Sequence, residues 1–322
     1  MPRPLVLMPG PMNRSVADGL AGGFEVLRLW EADDPDVVLA ERGKDVVAVA
    51  TGGTPIDGAF LDRVPAVQIV ASFGVGYDQI DAAAAAERGV VVTNTPGVLD
   101  DEVADTALGL LLMTARELPQ AERHLRDGHW HERPYPLTKA TLTGRRMGIL
   151  GLGRIGEAIA HRATAFGISV AYHNRHRKDV DYDYYPTPVE LAAASDILMI
   201  VIPGGDETRH LVNAEVLQAL GPDGILVNVA RGSVVDEHAL VEALRSGTIQ
   251  SAGLDVFEHE PEVHPGLLEL DNAVLLPHVG SATVPTRDAM GRLVVDNLVS
   301  WFEHGTPVTP VQESADLVRR TN

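Results

Sequence analysis

Short runs of β-branched and aliphatic residues alternate with Ala/Leu-rich stretches from one end of this chain to the other, and that alternation is the strongest constraint on its fold. Runs that are apolar throughout suit strands buried on both faces, as in parallel sheets covered on either side by helices. The predicted class is α/β. In the first third the strand candidates are PLVLM (4–8), FEVLRLW (24–30), VVAVA (46–50), VQIVA (67–71) and VVVTN (90–94), enough for one small sheet. A second series begins at 147 with MGIL (147–150), ISVAYH (168–173), ILMIVI (197–202), ILVNVA (225–230), AGLDV (252–256) and AVLLP (273–277), and predicts a larger sheet. At roughly 100–200 residues per domain, 322 residues call for two cores.

Between the two series, DEVADTALGLLLMTAR (101–116) reads as a helix apolar nearly all round, buried on several sides as a connector between domains would be. A second long helix is expected from about Pro285 to Glu303. If the final GTPVTPV segment returns to the first sheet, the first domain is discontinuous, comprising 1–98 and 287–322, with 99–286 forming the second. The sequence permits this arrangement without requiring it.

Charge then narrows the ligand classes. Twenty-six basic against 45 acidic side chains give a formal net charge of −19, which disfavours nucleic acid and anionic membranes as partners. Any anionic ligand must be held by a local basic cluster. The absence of cysteine removes disulfides, iron–sulfur clusters, thiolate zinc sites and cysteine nucleophiles together, and fits a reducing cytoplasm. The apolar run near the start is broken by Pro9, Gly10 and Pro11, and no segment reaches 18 uncharged apolar residues, so the expectation is a cytoplasmic protein without a membrane span. No histidine spacing with a carboxylate framework suggests a metal, and none is assigned.

GLGRIG (151–156) lies directly after the strand candidate MGIL and directly before a helical pattern with Ile155, Ile159, Ala163 and Phe166 on one face. In that context Gly151 permits a tight turn, Gly153 lets the backbone approach a pyrophosphate, and Gly156 lets the helix pack on the strand. The amides that open the helix, from Arg154 and Ile155 onward, would then face the anion. The alternative is a structural glycine turn. The acid that receives the ribose hydroxyls of NAD stands about 20 residues into such a unit, but here the position is Asn174, followed by Arg175, Arg177 and Lys178 with no acid between 174 and 178. Guanidinium groups pair with phosphate bidentately, so this run points to NADP(H) in preference to NAD(H), with NAD(H) bound more weakly. A solvated basic turn is the competing reading.

Ligands of doubly wound sheets bind outside the carboxyl ends of the strands. Three polar residues stand at such ends: Arg231 after ILVNVA, Asp255 after SAGL and His278 after AVLLP, with Glu260 five residues beyond Asp255. Reduction of a 2-keto acid needs a cation for the carboxylate, an acid for the developing alkoxide and a carboxylate to keep that acid protonated. Arg231, His278 and Glu260 supply those types. In the first series, TGGT (51–54) and SFGVGYD (72–78) follow strand candidates, and their backbone amides, with Gly53, Val75 and Gly76 as chosen donors, suit the substrate carboxylate. Ordinary turns are the alternative there.

These residues together resemble the D-isomer-specific 2-hydroxyacid dehydrogenases, and among them the NADP-dependent glyoxylate/hydroxypyruvate reductase branch. The likeness spans nearly the whole chain and rests on FGVGYDQID (73–81), VADTALGLLL (103–112), GILGLGRIG (148–156), LVNVARGSVVDEHAL (226–240), GLDVFEHEP (253–261) and LLPHVGSAT (275–283). It implies a flavodoxin-like substrate-binding domain and a doubly wound dinucleotide-binding domain with a cleft between them, and a homodimer joined mainly through the coenzyme domains. By the same resemblance Arg231 binds substrate, and Glu260 pairs with the catalytic His278. Asp255 receives the nicotinamide carboxamide, Thr106 and Gly280 lie near the cofactor, Ile202 and Pro203 wall the adenine side, and Val229 and Ala230 lie against the nicotinamide ribose.

The excursion 128–144 occupies the place of a loop that reaches the neighbouring subunit's site in related reductases, so Trp130 and Tyr135 are candidates either for limiting substrate size or for packing at a dimer interface. The expected activity is NADPH-dependent reduction of glyoxylate and hydroxypyruvate to glycolate and D-glycerate. Reduction of 2-ketogluconate or an aryl pyruvate is the sibling alternative. A nucleotide-sensing, corepressor-like binding protein is the alternative of another class, since fold alone does not specify activity.

Overall fold

Both expected sheets form, and every strand pairing within them is parallel. The computed structural model describes residues 3–320; residues 1, 2, 321 and 322, which fall in the first expected domain, lie outside the described residues. The chain divides into two compact units, Met1–Leu99 with Thr283–Asn322, and Asp100–Ala282. In chain order the strands of the first unit are β1 (Leu5–Met8), β2 (Glu25–Arg28), β3 (Val46–Thr51), β4 (Ile69–Ser72) and β5 (Val91–Thr93). Those of the second are β6 (Arg146–Leu150), β7 (Ser169–His173), β8 (Asp183–Tyr184), β9 (Ile197–Ile200), β10 (Ile225–Asn228), β11 (Ser251–Leu254) and β12 (Ala273–Leu275).

The smaller sheet has the order β2-β1-β3-β4-β5, the flavodoxin-like sequence of strands. Successive side chains leave a strand on opposite faces, so neighbouring residues feed two separate cores. Leu7, Val49, Val70 and Val92 pack with Leu39, Leu61 and Ala85 on one face. Val6, Ala48, Ile69 and Val91 pack with Val16, Leu20, Val294 and Leu298 on the other. Val294 and Leu298 come from the helix Val284–His304, so the C-terminal part of the chain does return to the first sheet. The return is tied to β5: Val311 N–H donates to the Val92 carbonyl at 3.0 Å, and Val92 N–H donates to Ser314 Oγ at 2.8 Å.

The larger sheet runs β12-β11-β10-β9-β6-β7-β8. Strand order therefore reverses between β6 and β9, and that switch point is where doubly wound sheets bind ligands. Leu150, Leu198, Leu226 and Leu254 form its core with Leu217, Leu240 and Leu244 from the covering helices. The connector helix spans Asp100–Ala115 and buries Val103, Ala104, Ala107, Leu108, Leu110 and Leu111, as its all-round apolar pattern requires.

Several expectations need correction. FEVLRLW is extended only over Glu25–Arg28, because Leu29–Glu31 turns into a short 3-10 segment that buries Leu29. ILMIVI and ILVNVA stop being strand at Ile200 and Asn228, so 201–203 and 229–231 lie beyond the sheet edge. The edge strand β8, paired with Ala171 and Tyr172, is absent from the sequence-based expectation; its two residues carry no apolar run to read.

Candidate active site

The turn after β6 has the geometry of a pyrophosphate cradle. Gly151 has φ +104, and a Cβ there would sit 2.6 Å from Ile202 Cγ2 and 2.8 Å from the Val201 carbonyl oxygen, so only glycine fits between β6 and the chain leaving β9. A Cβ on Gly156 would collide with the Gly151 carbonyl oxygen, which places the helix Arg154–Ala165 directly against the turn. A Cβ on Gly153, by contrast, would meet nothing within 4 Å. Gly153 is also the N-cap of that helix and offers no side-chain acceptor to its first amides. Open space facing an uncapped helix N-terminus fits an anionic diphosphate.

Asn174, at the end of β7, bridges back to this turn: its Oδ1 accepts from Leu152 N–H at 2.7 Å and its Nδ2 donates to the Leu152 carbonyl at 3.3 Å. The reading of the following basic run as free of acids changes in three dimensions. Lys178 pairs with Glu157 and donates to the Leu152 carbonyl at 3.1 Å, and Arg175 meets Glu207 at 3.3 Å. Both acids are remote in sequence. The Arg175–Glu207 pair is 81% and 82% exposed, however, so it is weak and readily exchanged. Arg177 is exposed.

Arg231, Glu260 and His278 lie beyond the ends of β10, β11 and β12, and the Arg231 charge acts on the Glu260 carboxyl. His278 Nδ1 and Glu260 Oε2 are 2.7 Å apart. Glu260 Oε1 accepts from Phe257 N–H at 3.0 Å. Burial alone would raise the Glu260 carboxyl; the bond to His278, the Phe257 amide and the charges of His278 and Arg231 outweigh it and hold the group below its usual value. Gly232 brings Arg231 and Glu260 into one neighbourhood. A Cβ there would overlap the Phe257 carbonyl and the Glu258 nitrogen, so the turn after Arg231 and the segment leading to Glu260 touch through backbone alone. Sequence reasoning passes over this glycine, although its place beside Arg231 is a visible signal.

His278 has φ +53, a left-handed conformation that costs a residue with a Cβ about 1–2 kcal/mol. Asp255 holds it there. Its Oδ1 accepts from Val279 N–H at 2.7 Å, its Oδ2 from Gly280 N–H at 2.8 Å, and its carbonyl from His278 N–H at 2.8 Å. Hydrogen bonds to a carboxylate contribute about 1.5–3 kcal/mol each, enough to outweigh the strain. Asp255 is 1% exposed, and burial pushes its carboxyl above the usual range, while those two amides and His278 pull it down. Thr106 Oγ1 donates to the Gly280 carbonyl at 3.2 Å, so Thr106, Asp255, His278 and Gly280 form one connected group. Val229 and Ala230 are each 9% exposed at the end of β10, whereas Pro203 is exposed beyond β9.

In the smaller unit, the loop after β4 has its carbonyls turned inward: Thr95 N–H donates to the Gly74 carbonyl at 2.9 Å and Asn94 Nδ2 to the Val75 carbonyl at 2.8 Å. Val75 and Gly76 lie in this half-buried loop. Gly53 follows β3 with φ +133. In the excursion, Tyr135 donates to Glu117 Oε2 at 2.9 Å and stacks edge-on against His124, while Trp130 is 66% exposed. Among the described residues no group of three or more His, Asp or Glu side chains could hold a metal ion, and no helix is long and apolar enough to cross a membrane.

A family model described as D-isomer specific 2-hydroxyacid dehydrogenase, NAD binding domain, matches residues 108–280. A crystal structure of an NADPH-dependent glyoxylate/hydroxypyruvate reductase from Sinorhizobium meliloti, in complex with NADP and malonate, is 52% identical, covers 97% of this chain and 98% of its own, and superimposes with a TM-score of 0.93. Glyoxylate/hydroxypyruvate reductase A of Arabidopsis thaliana is 45% identical over 95% of this chain and 98% of its own. Hydroxyphenylpyruvate reductase of Plectranthus scutellarioides matches at the same identity and coverage, 45% over 95% and 98%.

Proposed function

Because the chain belongs to the D-isomer specific 2-hydroxyacid dehydrogenases, we propose that it reduces small 2-keto acids, glyoxylate and hydroxypyruvate first, to glycolate and D-glycerate with NADPH as reductant. The observation that carries this reading is the 2.7 Å pairing of His278 with Glu260, with the Arg231 charge bearing on the same carboxylate. Bound NADPH supplies the hydride for the carbonyl carbon. Arg231 grips the substrate carboxylate and polarises the ketone, and His278 delivers a proton to the carbonyl oxygen as negative charge develops on it. Glu260 orients the imidazole and stabilises its protonated form. Gly53, Val75 and Gly76 offer amides to the substrate carboxylate.

The cofactor would be held by Gly151, Gly153, Arg154, Ile155 and Gly156 at the pyrophosphate, and by Ile202 and Pro203 at the adenine. Thr106, Val229, Ala230, Asp255 and Gly280 would serve the nicotinamide half. Asn174 maintains the glycine turn, leaving Arg175 and Arg177 for the 2′-phosphate, with NAD(H) a poorer substitute. On this reading residues 99–286 form the dinucleotide-binding domain, and 1–98 with 287–322 the substrate domain. A reductase that consumes NADPH depends on a pool of reduced cofactor, which favours the cytoplasm. The reading includes a homodimer joined through the larger unit, whose exposed apolar side chains include Leu118, Leu125, Trp130 and Leu137.

The test is to follow loss of reduced nicotinamide with purified protein, NADPH or NADH, and a panel of 2-keto acids. Turnover of glyoxylate and hydroxypyruvate with a lower KM for NADPH than for NADH is expected. The 45% identity to a hydroxyphenylpyruvate reductase favours an aryl pyruvate as the second candidate, which the same panel separates. Absence of turnover with every keto acid would favour a nucleotide sensor.

A further inference from the structure

The segment that ends in Glu260 carries a second, more deeply placed carboxylate. Glu258 has a side chain only 8% exposed. Its Oε1 receives the Arg209 guanidinium at 2.5 Å and faces His210 Nε2 at 2.8 Å. The backbone N–H of Glu258 donates to Glu237 Oε1 at 2.8 Å. Glu237 opens the helix Glu237–Ser246 and is 5% exposed. Its carboxyl is raised by burial and lowered by the Glu258 amide; the Glu258 charge raises it, and His264 and His259 lower it. His210 has φ +50, and its N–H donates to the Ser233 carbonyl at 2.8 Å. A residue with a Cβ keeps such a backbone only where its surroundings fix it.

Residues 257–260 are therefore gripped from three directions: by the 209–210 turn through the Glu258 carboxylate, by Glu237 through the Glu258 amide, and by Gly232 through backbone contact. The far end of the same segment presents Glu260 to His278. We propose that Glu258 is a positioning residue: clamped by Arg209 and His210, it fixes the short segment that aims the Glu260 carboxylate at His278 Nδ1. The proposal rests on the reading of His278 as proton donor. A nearly buried carboxylate without partners would be strongly destabilising, so the Arg209 and His210 partners of Glu258 and the segment's course are set together. Glu258 itself has no contact with His278 to explain a chemical role; its effect passes through Glu260.

The groups facing Glu260 are His278, Arg231, Asp255 and the Phe257 amide. Released from the clamp, Glu260 loses the bonds that hold its carboxyl low, and its titration moves toward higher pH. The experiment uses the full-length enzyme with Glu258→Gln, which keeps size and one acceptor, with Glu258→Ala and His210→Gln as companions. Expected for Glu258→Gln is a fall in kcat of about ten- to a hundredfold, the scale of a misplaced catalytic group. NADPH binding, read by nicotinamide fluorescence, should stay within about twofold, since none of these residues belongs to the glycine turn. The acid limb of kcat/KM should move to higher pH, and His210→Gln, which retains a donor, should lose less than Glu258→Ala.

A folded Glu258→Gln enzyme with unchanged kcat and an unmoved acid limb would overturn the proposal. So would a lower rate with an unmoved limb, which indicates general loosening. Carboxyl NMR of Glu260 in both proteins tests the clamp independently of turnover: an upward-shifted titration supports it and an identical one refutes it. Failure of the wild-type enzyme to reduce any keto acid counts against the functional reading alone.

Discussion

At the carboxyl end of the larger sheet, the group around His278 and the basic turn after β7 both gather charge, and they are held in opposite ways. Around His278 the supporting polar groups have fixed neighbours: Glu260 on Nδ1, the Phe257 amide on Glu260, and Asp255 on the two amides that follow the histidine. After β7, Arg175 meets Glu207 across a pair more than four-fifths exposed, and Arg177 projects into solvent. Proton transfer requires a reacting atom placed to within a fraction of an ångström. Recognition of a phosphate requires positive charge within reach, with geometry completed as the ligand arrives. Fixed polar contacts in this unit are thus concentrated around the proposed proton donor, whereas the arginines proposed for cofactor choice are exposed.

The largest effect that could break this contrast comes from His278→Ala. Turnover should fall by about a hundredfold to ten-thousandfold, while NADPH still binds in a fluorescence titration; an undiminished rate would remove the proton-donor role. Next comes Arg231→Gln, which should lower kcat/KM for glyoxylate by about a hundredfold through the loss of charge-assisted bonds to the carboxylate. It also deletes one of the charges that depress Glu260. Since a depressed carboxyl stays ionised as pH falls, weakening that depression should move the acid limb of activity to higher pH, and a pH–rate profile checks the sign. Smallest is Arg175→Ala, expected to reduce the NADPH-over-NADH preference about tenfold. A preference unchanged in that variant would shift the 2′-phosphate to Arg177.

Much of this is legible without coordinates. The alternating runs dictate two parallel sheets because strands buried on both faces must be apolar throughout. GLGRIG announces the turn because only glycine survives at φ +104 against Ile202. Arg231, Asp255 and His278 stand out as polar residues where apolar strands end, with Glu260 five residues beyond Asp255. Other features are hidden for equally physical reasons. The acids that meet Arg175 and Lys178 are Glu207 and Glu157, so a local count of charges misjudges the run. Asp255 is conspicuous as a residue for the cofactor, yet its two oxygens hold the left-handed backbone of His278, a task that no spacing reveals.

The chain's own order of residues determined the class of fold, the glycine turn and the kinds of group available for reduction, since these follow from local periodicity and side-chain chemistry. Tertiary structure alone decided which carboxylate meets which partner. Glu258 with Arg209 and His210, and Glu260 with His278, join elements separated by 49, 48 and 18 positions. Hydrogen bonds act over about 3 Å, and only the packing of the strands and their loops brings such distant residues within that range.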